Sequence, residues 1–328
     1  MKHTFSLLSL AALLILSSCG KTETVTTPSP EREDEKIAIV FSLNGECAAT
    51  AKASSEEVTS LDILIFRAST GQIDSYSRVL GSHASVVVPK GRELEYRLVA
   101  NIAEGKLSGV KTLTEFEGTL TDLRDEEPSH PLMIGRGRGT FLSESTTIVE
   151  MTRLISRVIL QKITPTYYEP GTFTLRQVYL INAVGQVSFL LDGAVAHWYN
   201  RTSYEASNTV SVLSTGNLAI SNQMSSLDIN TTLYTYPNSI NEDVFSSQEP
   251  SFTPRKTRLV IEASHLGETE YFPITLPSVN PNTTYLIKEL IITGPGTSHP
   301  DTQISREAVN LTIEIKPWGY NDINAPLS

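Results

Sequence analysis

Short apolar stretches, each closed by turn residues, recur along almost the whole of this chain. Ile37, Ile39, Phe41 and Leu43 alternate with Ala38, Val40, Ser42 and Asn44, the period-two pattern of a strand with one buried face. Residues 61–66 are almost continuously apolar and read as a central strand, with a turn at Ser69-Thr70-Gly71. Further strands are expected at 85–88, 94–100, 145–150, 154–163, 173–180, 257–263, 271–276 and 285–293. The last strand is the cleanest: Val309, Leu311, Ile313 and Ile315 fall on one face, and Pro317-Trp318-Gly319 stops it. Helical spacing is confined to Leu107, Val110, Leu113 and Phe116, with a capping box at Thr112-x-x-Glu115 and Gly118 as its limit. Residues 128–139 read as a loop, and 182–236 carry no clear pattern. Many short strands and little helix predict an all-β fold of two tandem β-sandwiches, one over 37–150 and one over 151–328.

The start of the chain is of another kind. Lys2 precedes an apolar run over 7–16, and Ser17-Ser18 stand directly before Cys19. A basic start, a short apolar core and small residues make a secretory signal. The run falls well short of the roughly 20 residues that span a bilayer. Ser17-Ser18-Cys19 resembles the lipobox of bacterial lipoproteins, which implies removal of residues 1–18 and acylation of Cys19, with palmitate as the typical acyl group. Residues 19–36 hold Pro28, Pro30 and many polar side chains, so they read as a flexible tether. With Cys19 used by a lipid, Cys47 has no partner for an intrachain disulfide, and packing and strand pairing must stabilise the fold. Cys47 itself reads as a small buried apolar residue.

The net charge of −10 argues against a nucleic-acid partner, which requires a basic face. The six histidines show no metal-ligand spacing. Gly135-Arg136-Gly137-Arg138-Gly139 lacks the Gly-Lys-Ser/Thr ending of a phosphate loop. No Gly-x-Ser-x-Gly elbow and no Asp-x-Asp-x-Asp calcium loop is present. Asp125-Glu126-Glu127 lie in a polar stretch. The expectation is a non-enzymatic protein without a cofactor or metal. Two other readings stay open. A surface glycan-binding lipoprotein would need Trp198, Tyr199 and Tyr204 as a stacking platform, and a surface hydrolase would need paired carboxylates in a pocket.

Several segments in order carry a resemblance. They are Leu61 to Phe66, Tyr96-Arg97-Leu98-Val99-Ala100-Asn101, Pro131-Leu132-Met133 and Met151 to Val158. They continue with Val178 to Ala183, Tyr236-Pro237-Asn238, Thr257 to Ala263, Gly294-Pro295-Gly296, His299-Pro300-Asp301 and Pro317-Trp318. This set resembles the fimbrillin-type fimbrial subunits of Bacteroidales. The resemblance implies two transthyretin-like β-sandwiches and export as an outer-membrane lipoprotein anchored through Cys19. It also implies a surface location in an adhesive fimbria. Its partners would be other subunits, joined by strand addition, and host or bacterial surface receptors. In shaft and tip subunits a protease cuts after the first strand, here Ile37, Ile39, Phe41 and Leu43, and a neighbour's strand replaces it. The donor would be the last strand or the tail 319–328. The family pattern has an arginine in the cleavage loop. Here the matching position is Lys52, and no arginine lies between Arg32 and Arg67. The two consequences are cleavage near Lys52, or an uncut subunit that anchors the fimbria.

Overall fold

The computed structural model describes residues 35–44, 58–191, 197–206, 210–243 and 255–319. The first half forms β1 (Lys36–Asn44), β2 (Ser60–Arg67), β3 (Ile73–Leu80), β4 (His83–Pro89) and β5 (Glu93–Ala100). These are followed by α1 (Leu113–Glu117), β6 (Leu120–Asp122), β7 (Met133–Thr140), β8 (Ser145–Glu150) and β9 (Thr152–Arg153). The second half opens with β10 (Ser156–Pro165), β11 (Phe173–Ile181), β12 (Ala183–Val184), β13 (Gln186–Ser188), β14 (Trp198–Tyr199) and β15 (Ile220–Ser221). It ends with β16 (Leu227–Thr235), β17 (Arg258–His265), β18 (Glu268–Thr275), β19 (Thr283–Ile292) and β20 (Val309–Pro317).

The fold is all-β. In the first sandwich, a three-stranded sheet of order β4-β1-β8 faces a five-stranded sheet of order β3-β2-β5-β7-β9. The core between them joins Ile39 and Phe41 to Leu61, Ile63, Ile65 and Leu98. The opposite face of β2 is covered as well: Leu64 and Phe66 meet Leu107 and Phe116. Burial on both faces is why 61–66 reads as an unbroken apolar run. The second sandwich packs sheet β16-β10-β19-β20 on sheet β15-β11-β17-β18. The two halves meet without a gap. β6 pairs with β13, Phe116 of α1 stacks on Phe189 at 4.8 Å, and one apolar cluster runs from Phe66 to Trp318. The described residues from Lys36 onward form one compact unit.

Three expectations need correction. First, the helix is only Leu113–Glu117. Its Thr112/Glu115 capping box and its Gly118 limit are present, but Leu107 sits in a turn and Val110 in irregular chain before it. Their apolar spacing reflects burial under β2 rather than a helical face. Second, residues 133–140 are not a loop but β7, paired along its length with β5. Its glycines make room for neighbours. A Cβ on Gly137 would lie 2.2 Å from the Tyr96 hydroxyl, and one on Gly135 would lie 2.6 Å from Val149 and Met151. Glycine within a strand marks such a close approach. Third, Ile315 does not share the buried face of β20; it is 54% exposed, whereas Val309, Leu311 and Ile313 pack on the core.

Besides several pieces of two or three residues, two long strands carry no signal in the sequence. β3 is half-buried from Ile73 to Val79 and exposed at Leu80, and β16 lies in the stretch without a pattern. Both occupy sheet edges, where polar residues such as Ser75, Ser77, Asn230 and Thr231 are tolerated and periodicity fades.

Gly137→Ala should cost about 1–3 kcal/mol by overpacking against Tyr96. Gly139→Ala should cost clearly less, because its added Cβ meets only Phe141 at 3.7 Å. Urea denaturation of the two variants measures the difference.

Candidate functional site

β1 is not an edge strand. On one side it pairs antiparallel with β4, from Lys36↔Pro89 to Ser42↔His83. On the other it pairs in parallel with β8, from Ile39↔Ser145 to Asn44↔Glu150. Ile37, Ile39, Phe41 and Leu43 are all buried, Ile39 and Phe41 completely. The Phe41 ring lies 5.1 Å from that of Tyr96, which rests over Gly137. The slot that receives β1 is therefore lined by Tyr96, Leu98, Val86, Val88 and Val149 and walled by backbone donors and acceptors. The other face of this sheet is turned outward, with Val40 38%, Val87 56% and Ile148 63% exposed. Four buried apolar side chains contribute about 6–12 kcal/mol gross, before the ordering entropy that opposes it.

Lipidation of Cys19 and cleavage at Lys52 fall outside the described residues, as do Cys47 and the tail beyond Gly319. The chain's last described residues are tightly placed. Trp318 is 3% exposed, with the guanidinium of Arg153 5.0 Å and that of Arg157 4.8 Å from its ring. The Arg153 Nη1 also donates to the Trp318 carbonyl at 3.2 Å. This stack fastens the end of β20 beside β9, where the two sandwiches adjoin.

Trp198, Tyr199 and Tyr204 do not make a platform. Tyr199 is buried, Arg201 stacks over Trp198 at 5.2 Å, and Tyr204 packs on Tyr179. The acidic stretch 125–127 holds a surprise for a polar sequence. Glu126 is buried and accepts from the Tyr236 hydroxyl at 2.9 Å and the Leu132 amide at 3.1 Å. It borders a cleft of about 150 Å³. Nearby, Asp122 accepts from Tyr199 at 2.7 Å, Gln186 at 3.1 Å and the backbone and side chain of Arg124. Burial pushes the Asp122 carboxyl up, but these hydrogen bonds outweigh it and hold the group well below the usual carboxylate range. Among the described residues, no three His, Cys, Asp or Glu side chains gather as metal ligands. No described helix is long and apolar enough to cross a membrane.

No family model and no curated relative matches the chain. Solved structures do. A fimbrilin from Porphyromonas gingivalis superposes with a TM-score of 0.61 at 16% identity, covering 86% of this chain and 98% of that one. A candidate cell adhesion protein from Bacteroides eggerthii gives 0.63 at 16% identity, with 87% and 97% covered. The tip fimbrial protein Mfa3 from Porphyromonas gingivalis gives 0.53 at 11% identity, with 87% and 100% covered. The likeness is one of fold, and it spans both sandwiches.

Phe41→Ala should cost about 3–5 kcal/mol, because it hollows the centre of the first core. Val40→Thr, one residue away on the outer face, should stay within about 0.5 kcal/mol. Chemical denaturation of the two variants tests whether β1 is sealed on one face only.

Proposed function

We propose that this protein is a structural subunit of an adhesive cell-surface fimbria, exported as a lipoprotein and joined to its neighbours by strand exchange through the β1 slot. The observation that carries this reading is the position of β1: a strand near the chain's start, paired on both sides, with one fully apolar face. The shared fold with a fimbrilin and a tip fimbrial protein supports it.

Removal of β1 would leave its slot open on two backbone walls and one apolar floor. A strand from another copy could restore both, which is strand addition between chains. In this reading residues 1–18 are a signal, Cys19 carries the lipid, and 37–150 and 151–328 are the two domains. β20 already pairs with β19, and its Val309, Leu311 and Ile313 pack on the core of its own sandwich. The tail after Gly319 is therefore the better donor. A second reading has its own support. Lysine rather than arginine stands at position 52, and no arginine lies between Arg32 and Arg67. An uncut subunit would keep its lipid and anchor the fimbria in the outer membrane.

Limited trypsin treatment of the purified mature chain should cut near Lys52 and convert monomer into a ladder of polymers. A synthetic peptide of residues 36–44 added in excess should block the ladder. A chain that is fully cut at Lys52, has lost β1 and still remains monomeric would overturn the shaft and tip role. Mass spectrometry of the N-terminus from cells separates the two readings: an acylated Cys19 marks an anchor, and a start just after Lys52 marks a polymerising subunit.

A further inference from the structure

The core of the first sandwich is aliphatic except at one place. Among its described residues it holds three rings, those of Phe41, Tyr96 and Phe141, and they stand in a row. Phe41 lies 5.1 Å from Tyr96, tilted by 53°, and Tyr96 lies 6.4 Å from Phe141, tilted by 43°. Tilted rings at such spacings bring the electron-poor edge of one towards the electron-rich face of the next. The middle ring is fixed by the sheet. Tyr96 of β5 stands directly across the ladder from Gly137 of β7, and the side chain that this glycine lacks is the space the ring takes. Phe41 is fully buried, as is Ile39, whereas Ile37 and Leu43 at the ends of the row keep 9% and 7% of their surface. The slot of β1 thus has four inward subsites, and the third is bounded by rings.

Neither of this chain's two candidate donors carries a ring for that subsite. In the tail the apolar residues two apart are Ile323, Ala325 and Leu327. With these at the second, third and fourth subsites, Ala325 meets the rings; a shift by two residues either way brings Ile323 or Leu327 there instead. Tyr320, the tail's one ring, has the opposite parity and faces outward in an extended strand when these face inward. Pro326 brings no N–H to the ladder. The inward residues of β20, Val309, Leu311 and Ile313, are aliphatic as well.

We propose that the β1 slot selects its occupant at the Phe41 subsite, and that its preferred occupant is a strand from a different chain, an alternating apolar segment with an aromatic side chain at its third inward position. The inference rests on the strand-exchange reading and adds to it the kind of partner. A copy's tail still enters, on Ile323 and Leu327, but leaves the space of the ring unfilled. A strand that fills this space displaces that tail. The joint between two copies is therefore the weaker kind, and the joint to a ring-bearing neighbour the stronger.

The test is competition for the slot. The mature chain, cut at Lys52 with trypsin, is held with two peptides in equal excess near its unfolding midpoint in urea until the bound ratio is constant. It is then returned to buffer, and mass spectrometry of the folded product reads which peptide it keeps. Against the peptide of residues 36–44, the same peptide with Phe41→Ala should be kept about a hundredfold less. A peptide with Ile39→Phe and Phe41→Ile together, identical in composition, should be kept about tenfold less. The peptide of residues 320–328 should lose to 36–44 by about a hundredfold, and its Ala325→Phe variant should beat the unaltered tail by about tenfold. Equal retention of 36–44 and its position-swapped variant overturns the proposal, because burial alone then decides. So does a tail peptide that matches 36–44, or one that gains nothing from Ala325→Phe. A cut chain that keeps no peptide of any sequence overturns the strand-exchange reading along with it. All the substitutions are in the peptides, so no outcome turns on whether a variant protein folds.

Discussion

The first sandwich depends on one face of one strand. β1 supplies Ile37, Ile39, Phe41 and Leu43 to the core, and its backbone joins β4 to β8. Without it, the smaller sheet is two strands that share no ladder. The larger sheet would then show Leu61, Ile63, Ile65 and Leu98 to water, an exposed apolar area of the kind soluble proteins seldom tolerate. The glycines of β7 serve the same contact at one remove. Gly137 leaves room for the ring of Tyr96, which in turn meets Phe41, and Gly135 leaves room for Val149 and Met151 of the same core.

How legible this was in the sequence follows from where each strand sits. β1 and β2 were plain, because a face or a whole strand is buried and the apolar period survives. β3 and β16 were invisible, because edge strands need no continuous apolar face. β7 is hidden for a different reason. A repeat of glycine and arginine has the composition of a loop, and only the neighbouring ring of Tyr96 reveals that the glycines make way for packing. No local signal at 133–140 carries that information; it lies in Tyr96 of β5 for Gly137 and in Val149 and Met151 for Gly135. The short helix is legible in its cap, whose two reciprocal hydrogen bonds are local, but its length is not, because burial under β2 mimics helical spacing.

The candidate site divides in the same way. The four apolar residues of β1 could be named from their alternation alone. The buried state of Glu126 could not, since its two donors come from Leu132 and from Tyr236, far along the chain. A run of three acids ordinarily means a solvated surface. Here the turn after β6, capped by Asp122, directs the middle one inward. The aromatic residues at 198–204 show the converse: their clustering in sequence does not survive as clustering in space, because Tyr199 turns in to Asp122 while Arg201 covers Trp198.

The pairing of β1 on both sides also governs time. An edge strand can peel, one hydrogen bond after another, because its far side is already wet. A central strand has no such route: both ladders and the four buried side chains must part together, so its escape is tied to the unfolding rate of the whole sandwich. Any segment seated in that slot would be held kinetically, with a residence set by barrier height and not by concentration. A filament built from such joints would survive dilution and mechanical load for as long as its individual units stay folded.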